Sequence, residues 1–215
     1  MWAEVVPPSR TLLPGEEAPI TPNATFQTEI DTIWKPGVTD LEKTEIGTTS
    51  VFLDGERPNV RNFETNLGDL IADALLEKTK SAGASIAITN GGGIRASIPG
   101  PTAPAATDPV TVGEVLTVLP FGNTIALVTL TGAQIIEALE NGVSQVNLTT
   151  PSSSAGRFPQ VAGLRFVWDP LRPVGGRIVQ VWVQETTSAG QSGNAINAYV
   201  PINLTATYRV ATNNF

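Results

Sequence analysis

The sequence predicts a mixed α/β domain of the α+β type, because helical and strand-like segments are interspersed along most of the chain. Two segments have clear helical periodicity, and short runs rich in β-branched residues lie around them. The 215 residues include 20 glycines and 17 prolines, which favours many turns and short elements over long helices. We therefore expect a single domain with a mixed sheet and packed helices from about residue 40 onward.

The first part of the chain predicts little regular structure. Residues 1–24 hold five prolines and show little periodicity, which indicates an extended linker. A short amphipathic stretch follows over residues 26–34, and Pro36 and Gly37 are expected to end it. Residues 42–53 alternate weakly between apolar and polar side chains, which suggests a strand.

The clearest helix is predicted to begin near Thr65 or Asn66. Its apolar residues recur at helical spacing and form one stripe: Leu67, Leu70, Ile71, Ala74 and Leu75. Gly83 is a suitable residue for the helix end. The apolar run at residues 85–89 predicts a buried strand that leads directly into a glycine-rich segment.

The second half of the chain predicts further short elements. Residues 110–119 are expected to form a short helix, and residues 124–130 a strand. Thr131 and Gln134 have the spacing of a capping box, which predicts the start of a second amphipathic helix. Three more strands are expected at residues 164–168, 177–183 and 207–212.

The composition excludes several kinds of site. The chain has no cysteine and no histidine, so it has no thiol nucleophile, no thiolate zinc site and no Ser-His triad. Asp69 and Asp73 share a helix face, but such a pair is more typical of a solvated surface, and we predict no metal site. Glu64 is interpreted as a charge at a helix start. The net charge of −7 argues against binding of nucleic acid.

A glycine-rich segment follows the predicted strand at residues 85–89. In the stretch from Asn90 to Arg95, the three glycines Gly91, Gly92 and Gly93 could approach a ligand closely and point backbone N–H groups inward as an anion nest, with Arg95 adding a fixed charge. The same residues could equally form an ordinary glycine-rich turn with an exposed arginine. Arg61 is a second possible anion contact or a surface residue.

Two phenylalanines lie next to predicted strand ends. Phe121 is part of a Pro-Phe-Gly corner, and Phe215 follows the last predicted strand. Each ring could be a core residue or a stacking platform for a nucleobase. Spacing alone does not distinguish the two interpretations.

Five segments in this order resemble the C-terminal domain of the 5'-nucleotidase / UDP-sugar hydrolase / 2',3'-cyclic nucleotide phosphodiesterase family. They are RNFETNLGDLIADA (61–74), NGGGIRASIPG (90–100), LPFGNTIALVTLTGAQIIEALE (119–140), GRFPQVAGLRFVWD (156–169) and YRVATNNF (208–215). The resemblance covers the chain from about residue 42 to its end.

The resemblance implies a nucleotide-binding domain and assigns roles to residues of this sequence. Phe121 and Phe215 would stack on the two faces of the base, and Asn90 and Asn123 would form hydrogen bonds with the base or its surroundings. The guanidinium groups of Arg61 and Arg95 would contact phosphate or ribose. The implied substrate-binding set is Arg61, Asn90, Gly92, Gly93, Arg95, Phe121, Asn123 and Phe215.

The resemblance also predicts how the domain is used. Residues 1–41 would be the linker from an N-terminal metallophosphatase domain, and residues 42–215 a nucleotide-binding domain truncated at its C-terminal end. The N-terminal domain would hold two divalent metals, so residues 1–215 would bind a nucleoside or nucleotide without a cofactor and without turnover. The whole protein would be extracellular or periplasmic. The alternatives are a non-catalytic adhesion or assembly module, or a domain of a 2',3'-cyclic nucleotide phosphodiesterase.

Overall fold

In the computed structural model, which describes residues 23–103, 106–185 and 198–215, helices and strands are interspersed up to residue 143 and five strands follow. The helices are α1 (Ala24–Glu29), α2 (Lys35–Lys43), α3 (Arg57–Val60), α4 (Asn66–Thr79), α5 (Val112–Val118) and α6 (Gly132–Val143). The strands are β1 (Glu45–Thr49), β2 (Ile86–Asn90), β3 (Asp108–Thr111), β4 (Ile125–Thr131), β5 (Pro159–Ala162), β6 (Leu164–Trp168), β7 (Ile178–Glu185), β8 (Ala198–Pro201) and β9 (Thr207–Asn213). The predicted linker over residues 1–24 lies outside the described residues, apart from its last two positions.

The central element is a four-stranded mixed sheet with the order β4-β9-β2-β5. β2 and β9 are parallel, and both outer strands run antiparallel to them. Because successive side chains of a strand point to opposite faces, Ile86 and Ala87 of β2 serve two different cores. Ile86 packs with the larger aliphatic residues, and Ala87 packs with a cluster of alanines.

These two cores make the domain a three-layer structure. Helix α4 covers the alanine face, where Ala72 of the helix packs with Ala87 and Ala211 of the sheet. The other face is covered by α6, through Ile135 and Leu139, and by the three-stranded sheet β6-β7-β8. β1 and β3 form a separate two-stranded sheet. The mixed α/β prediction is confirmed.

Helix α4 lies where the sequence predicts it, but its apolar stripe is rotated relative to the core. Leu70 is 51% exposed, whereas Gly68 and Ala72 are buried. Small residues allow close approach to the sheet: a Cβ atom at Gly68 would overlap with Oε1 of Gln160. The larger residues of the stripe line an apolar groove beside the sheet, although Leu75 also packs against the alanine cluster and Leu67 is buried in a separate core cluster.

Two sequence predictions about element ends are wrong. The helical segment does not end at Pro36, because a π-helical turn (Ile30–Trp34) leads into α2 and the proline lies in the first turn of that helix, where its missing N–H is tolerated. Residues 110 and 111 belong to β3 and not to a helix. The side chains of Thr111 and Glu114 form a reciprocal capping box that sets the start of α5.

The strand predicted over residues 42–53 is limited to β1, because residues 42 and 43 belong to α2 and the strand ends at Thr49. Two other local predictions are confirmed. The Thr131–Gln134 capping box begins α6, and Gly83 has a φ of 84° after the turn that ends the α4 segment. Among the described residues, no helix is both long and apolar enough to cross a bilayer.

Candidate functional site

The candidate site lies at one edge of the central sheet, where four strands meet. The parallel strands β2 and β9 both end there, at Asn90 and Asn213. β4 and β5 begin at the same edge, with Ile125 opposite Asn213 and Pro159 opposite Asn90. Four loops that are distant in sequence are therefore brought together. The carboxyl ends of parallel strands are a common location for ligand sites in α/β proteins.

These loops enclose a cavity of about 650 Å³. All eight residues that the sequence suggests as a substrate-binding set line it: Arg61, Asn90, Gly92, Gly93, Arg95, Phe121, Asn123 and Phe215. Their placement in one cavity agrees with the predicted set, and their individual roles stay predictions. Five further lining residues were missed: Asn141, Ala155, Gly156, Arg157 and Asn213. Three of these lie in the quoted family segments, at positions 156, 157 and 213, whereas Asn141 has no sequence signal.

The glycine loop Gly91–Gly93 is packed tightly against the loop before β5. A Cβ atom at Gly92 would lie 2.6 Å from the Cα atom of Gly156, so the two backbones are in contact. The N–H groups of Gly91 and Gly92 donate to the carbonyl oxygens of Phe158 and Gly156, both at 2.8 Å. The anion-nest interpretation is therefore wrong for these two residues, because protein carbonyls already occupy their N–H groups. The glycines provide close packing instead.

The Phe121 loop is attached to the end of β9. The Thr124 N–H donates to Oδ1 of Asn214 at 2.9 Å, and the Asn214 N–H donates to the Thr124 carbonyl at 3.1 Å. Gly122 has a φ of 62°, in the left-handed region, and so allows the turn that leaves Phe121 at the cavity. The Phe121 ring is 59% exposed and is not a core residue. The Arg95 guanidinium lies 5.6 Å from its centroid, within the range of a cation–π contact.

Arg61 is a buried cation that lines the cavity. Its side chain is 8% exposed, and Nη1 donates to the Ser154 carbonyl at 3.3 Å. Its buried Nε has no hydrogen-bond partner among the described residues. Burial lowers the pKa of Arg61, and the positive charges of Arg57 and Arg95 lower it further. An anion in the cavity would relieve this repulsion and offer an acceptor for the guanidinium.

The two predicted asparagines are placed differently. Asn90 lies between two walls of the cavity: its Nδ2 donates to the Gly156 carbonyl at 3.3 Å, and its Oδ1 accepts from Nδ2 of Asn213 at 2.7 Å. Asn123 is exposed on the Phe121 loop. Asn90 therefore helps to hold the cavity together and keeps a part of its bonding capacity for a ligand, because an amide can form four hydrogen bonds.

The acidic side chains at the start of α4 lie away from the candidate cavity. Within the described part of the chain, no three acidic side chains are grouped so that they could hold a metal ion. Burial raises the pKa of Asp69 to about 6, and the carboxylates of Glu64 and Asp73 contribute to the increase. None of the three lines the cavity of the candidate site.

Replacing Asp69 with asparagine is expected to increase the free energy of unfolding at pH 7 by about 1 kcal/mol, after discounting for solvent screening of a half-buried group. The folded protein binds the Asp69 proton more tightly than the unfolded chain, since the pKa is about 6 in place of 3.8. Wild-type stability therefore gains as the pH falls from about 7 to 4. Urea unfolding at several pH values should show a smaller increase in the free energy of unfolding between pH 7 and 4 for D69N than for the wild type. The same increase in both proteins would contradict the raised pKa of Asp69.

Comparison with known proteins gives consistent matches. Residues 45–215 match the family model described as "5'-nucleotidase, C-terminal domain". The chain is 45% identical over 183 residues to the trifunctional nucleotide phosphoesterase YfkN of Bacillus subtilis, covering 85% of this chain and 11% of that protein. It is 31% identical over 189 residues to human 5'-nucleotidase, covering 85% of this chain and 30% of that protein.

A solved structure is similar as well. The 5'-nucleotidase precursor from Thermus thermophilus superimposes with a TM-score of 0.72 and 46% sequence identity, covering 90% of this chain and 34% of that protein. The chain thus spans about a third or less of the length of these relatives.

Proposed function

The chain belongs to the family of 5'-nucleotidase C-terminal domains, and on that premise we propose that it is the substrate-binding domain of a longer hydrolase that cleaves phosphoric esters of nucleotides. The observation that carries this proposal is the composition of the cavity. It combines two phenylalanine rings with three arginines, and none of its described lining residues is acidic. Aromatic rings with guanidinium groups match a ligand that has a flat base at one end and a phosphate at the other.

Each group has a proposed task. Phe121 and Phe215 stack on the two faces of the base. The exposed amide of Asn123 forms hydrogen bonds with polar groups at the rim of the base and so distinguishes one base from another. Asn90 holds the Gly92–Gly156 contact in place and contributes a hydrogen bond to the ligand. Arg61 and Arg95 contact phosphate or ribose oxygens, where charge-assisted hydrogen bonds are strongest. In the whole enzyme these contacts would hold the scissile bond in position for catalysis.

The experiment that tests this function is isothermal titration of the 215-residue chain with adenosine, AMP and UDP-glucose. Saturable binding of at least one of them is expected, with AMP bound more tightly than adenosine because of the guanidinium groups. Absence of binding by all three would overturn the proposal.

The two divalent metals that the family implies do not fit the candidate cavity. Its lining residues supply amide oxygens and guanidinium groups, and the whole sequence lacks histidine and cysteine. We therefore place the metals in a separate N-terminal domain, which residues 1–41 would connect to the nucleotide-binding domain of residues 42–215.

The chain by itself is accordingly expected to hydrolyse AMP no faster than buffer, with magnesium, manganese or zinc present. Metal-assisted displacement needs ions that stabilise the attacking and leaving oxygens. Release of inorganic phosphate measures this directly. Metal-dependent turnover that co-elutes with the pure chain would contradict the prediction.

Replacing Arg61 with glutamine is expected to weaken AMP binding about tenfold and to leave adenosine binding within about twofold, because hydrogen bonds to a charged group contribute about 1.5–3 kcal/mol. Titration calorimetry measures both constants. Arg172, an exposed arginine outside the cavity, provides the matched control as R172Q. Equal weakening of AMP and adenosine by R61Q would show that Arg61 supports the fold and does not contact phosphate.

We propose an extracellular or periplasmic location for the whole protein. The support is the description of the Thermus relative as a precursor, a term typical of exported proteins whose leader is removed. The relatives reported above carry the names of phosphoesterases and nucleotidases, and they give no support to an adhesion or assembly module.

A further inference from the structure

A cavity of about 820 Å³, here called the aromatic cavity, is lined by residues at the start of α4 and by the sheet β6-β7-β8. The continuous segment of residues 158–168, which contains β5 and β6, joins these two sides. None of its described lining residues also lines the cavity of the candidate site. The two cavities are therefore separate, and the function proposed above makes no use of the aromatic cavity.

One side of the aromatic cavity is the outer face of the three-stranded sheet. Trp182 is paired with Arg165, and Tyr199 with Gln184, so the pleat directs these four side chains to the same face. The neighbours of Trp182 in β7 are buried in the core on the other face. The Arg165 guanidinium lies 3.9 Å from the centroid of the Tyr199 ring, so this face already holds one cation against an aromatic ring.

The ring of Trp182 is the surface that remains for a ligand. Its side chain is half-buried and lines the aromatic cavity, and among the described residues no cation lies over its ring. Indole attracts cations more strongly than the other aromatic side chains do. An apolar cation could therefore lie on Trp182 much as Arg165 lies on Tyr199.

The other side of the aromatic cavity carries three carboxylates, those of Glu64, Asp69 and Asp73. Among the described residues, none of the three forms a salt bridge. Arg165 is the one basic residue of the described lining, so negative groups outnumber positive groups there. The repulsion among the carboxylates contributes to the raised pKa of Asp69, and a cation in the cavity would reduce that repulsion.

The lining fits an organic cation better than a metal ion. Within the described part of the chain, no three acidic side chains are close enough together to hold a metal. A metal ion also requires several oxygen ligands in direct contact, whereas an alkylammonium group requires an aromatic face and nearby negative charge. The aromatic cavity offers the second combination.

We propose that the aromatic cavity binds a small organic cation, with its alkylammonium group on the ring of Trp182 and facing the carboxylates of Glu64 and Asp73. The site lies away from the nucleotide cavity, so this inference does not rest on the proposed function.

The test is calorimetric titration of the 215-residue chain with choline and with dimethylbutanol, the uncharged isostere of choline in which carbon replaces nitrogen. Choline is expected to bind saturably and at least about tenfold more tightly than dimethylbutanol, because only the charged ligand gains from the indole ring and the carboxylates. W182L should weaken choline binding about fivefold, and D73N about threefold. AMP should not displace choline, since the two cavities are separate.

Matched controls lie outside the aromatic cavity. Trp34 is 64% exposed and Glu77 is an exposed carboxylate of α4, so W34L and E77Q should bind choline like the wild type. Circular dichroism checks the fold of W182L. Asp73 is exposed, so D73N tests the site independently if W182L does not fold.

Four results would overturn the inference. They are no binding of choline, equal affinity for choline and dimethylbutanol, displacement of choline by AMP, and an unchanged choline affinity in D73N together with folded W182L. The first two would show that the cavity does not recognise the charge, and the last two that choline binds elsewhere. None of these results bears on whether the chain binds AMP, so the proposed function would stand or fall separately.

Discussion

Replacing Phe121 with alanine is expected to weaken the binding of adenosine and AMP by roughly 5- to 150-fold, because one stacked base face contributes about 1–3 kcal/mol. The loss should be similar for both ligands, since the ring contacts the base and not the phosphate. The ring is 59% exposed, so its removal leaves little space in the core and the fold should be retained. Titration calorimetry measures the affinities, and circular dichroism checks the fold.

A matched control distinguishes the loss of stacking on the base from the effect of removing any exposed phenylalanine ring. Phe52 is 51% exposed and lies outside the candidate cavity, so F52A should bind both ligands like the wild type. If F121A also binds them like the wild type, Phe121 does not stack on the base, and the cavity would have to recognise its ligand by polar contacts alone.

Local sequence patterns predicted the elements whose cause is local. Helix α4 and the start of α6 follow from periodicity and from a capping box, which are properties of residues three or four apart. The short strands β5 and β8 were missed, because each has only four residues and its hydrogen-bonding partner lies on another element. The buried face of α4 could not be predicted either, since close packing of Gly68 against Gln160 depends on a residue far away in the sequence.

The candidate site likewise depends on residues that are distant in the sequence. Phe121 and Phe215 could each be core or platform from the sequence, and only the pairing of β4 with β9 brings their loops to one edge of the sheet. The glycine-rich sequence suggested an anion nest, because a local pattern gives no information on the carbonyl groups of the loop before β5 that accept hydrogen bonds from these N–H groups. Arg157 was missed for a related reason: its anchoring residues are on α6, while its own segment was noticed only as part of a family motif.

The cavity also depends on a buried glutamine that never touches it. Gln160 is 1% exposed, and its amide forms three hydrogen bonds with the backbone around Arg61. Nε2 donates to the carbonyls of Val60 and Phe63 at 3.1 and 2.8 Å, and Oε1 accepts from the Thr65 N–H at 3.2 Å. One side chain of β5 thus fixes the segment that carries the buried guanidinium.

Replacing Gln160 with alanine is therefore expected to lower the free energy of unfolding by about 3 kcal/mol, since buried polar groups lose their partners at about 1–3 kcal/mol each. The melting temperature should fall by roughly 6–12 °C for a chain of this size. AMP binding should weaken more than adenosine binding, because the freed segment carries Arg61 and not the stacking rings. Thermal unfolding and titration calorimetry below the transition measure the two effects.

The exposed Gln180 of β7 offers a control in a strand, and Q180A should change neither stability nor binding. A stable Q160A with normal AMP affinity would mean that the segment from Val60 to Thr65 holds its shape without the glutamine. Loss of stability with an unchanged preference for AMP over adenosine would mean that Gln160 supports the fold but does not position the cation. The predicted combination, a less stable chain that discriminates poorly between AMP and adenosine, requires that the same three hydrogen bonds do both.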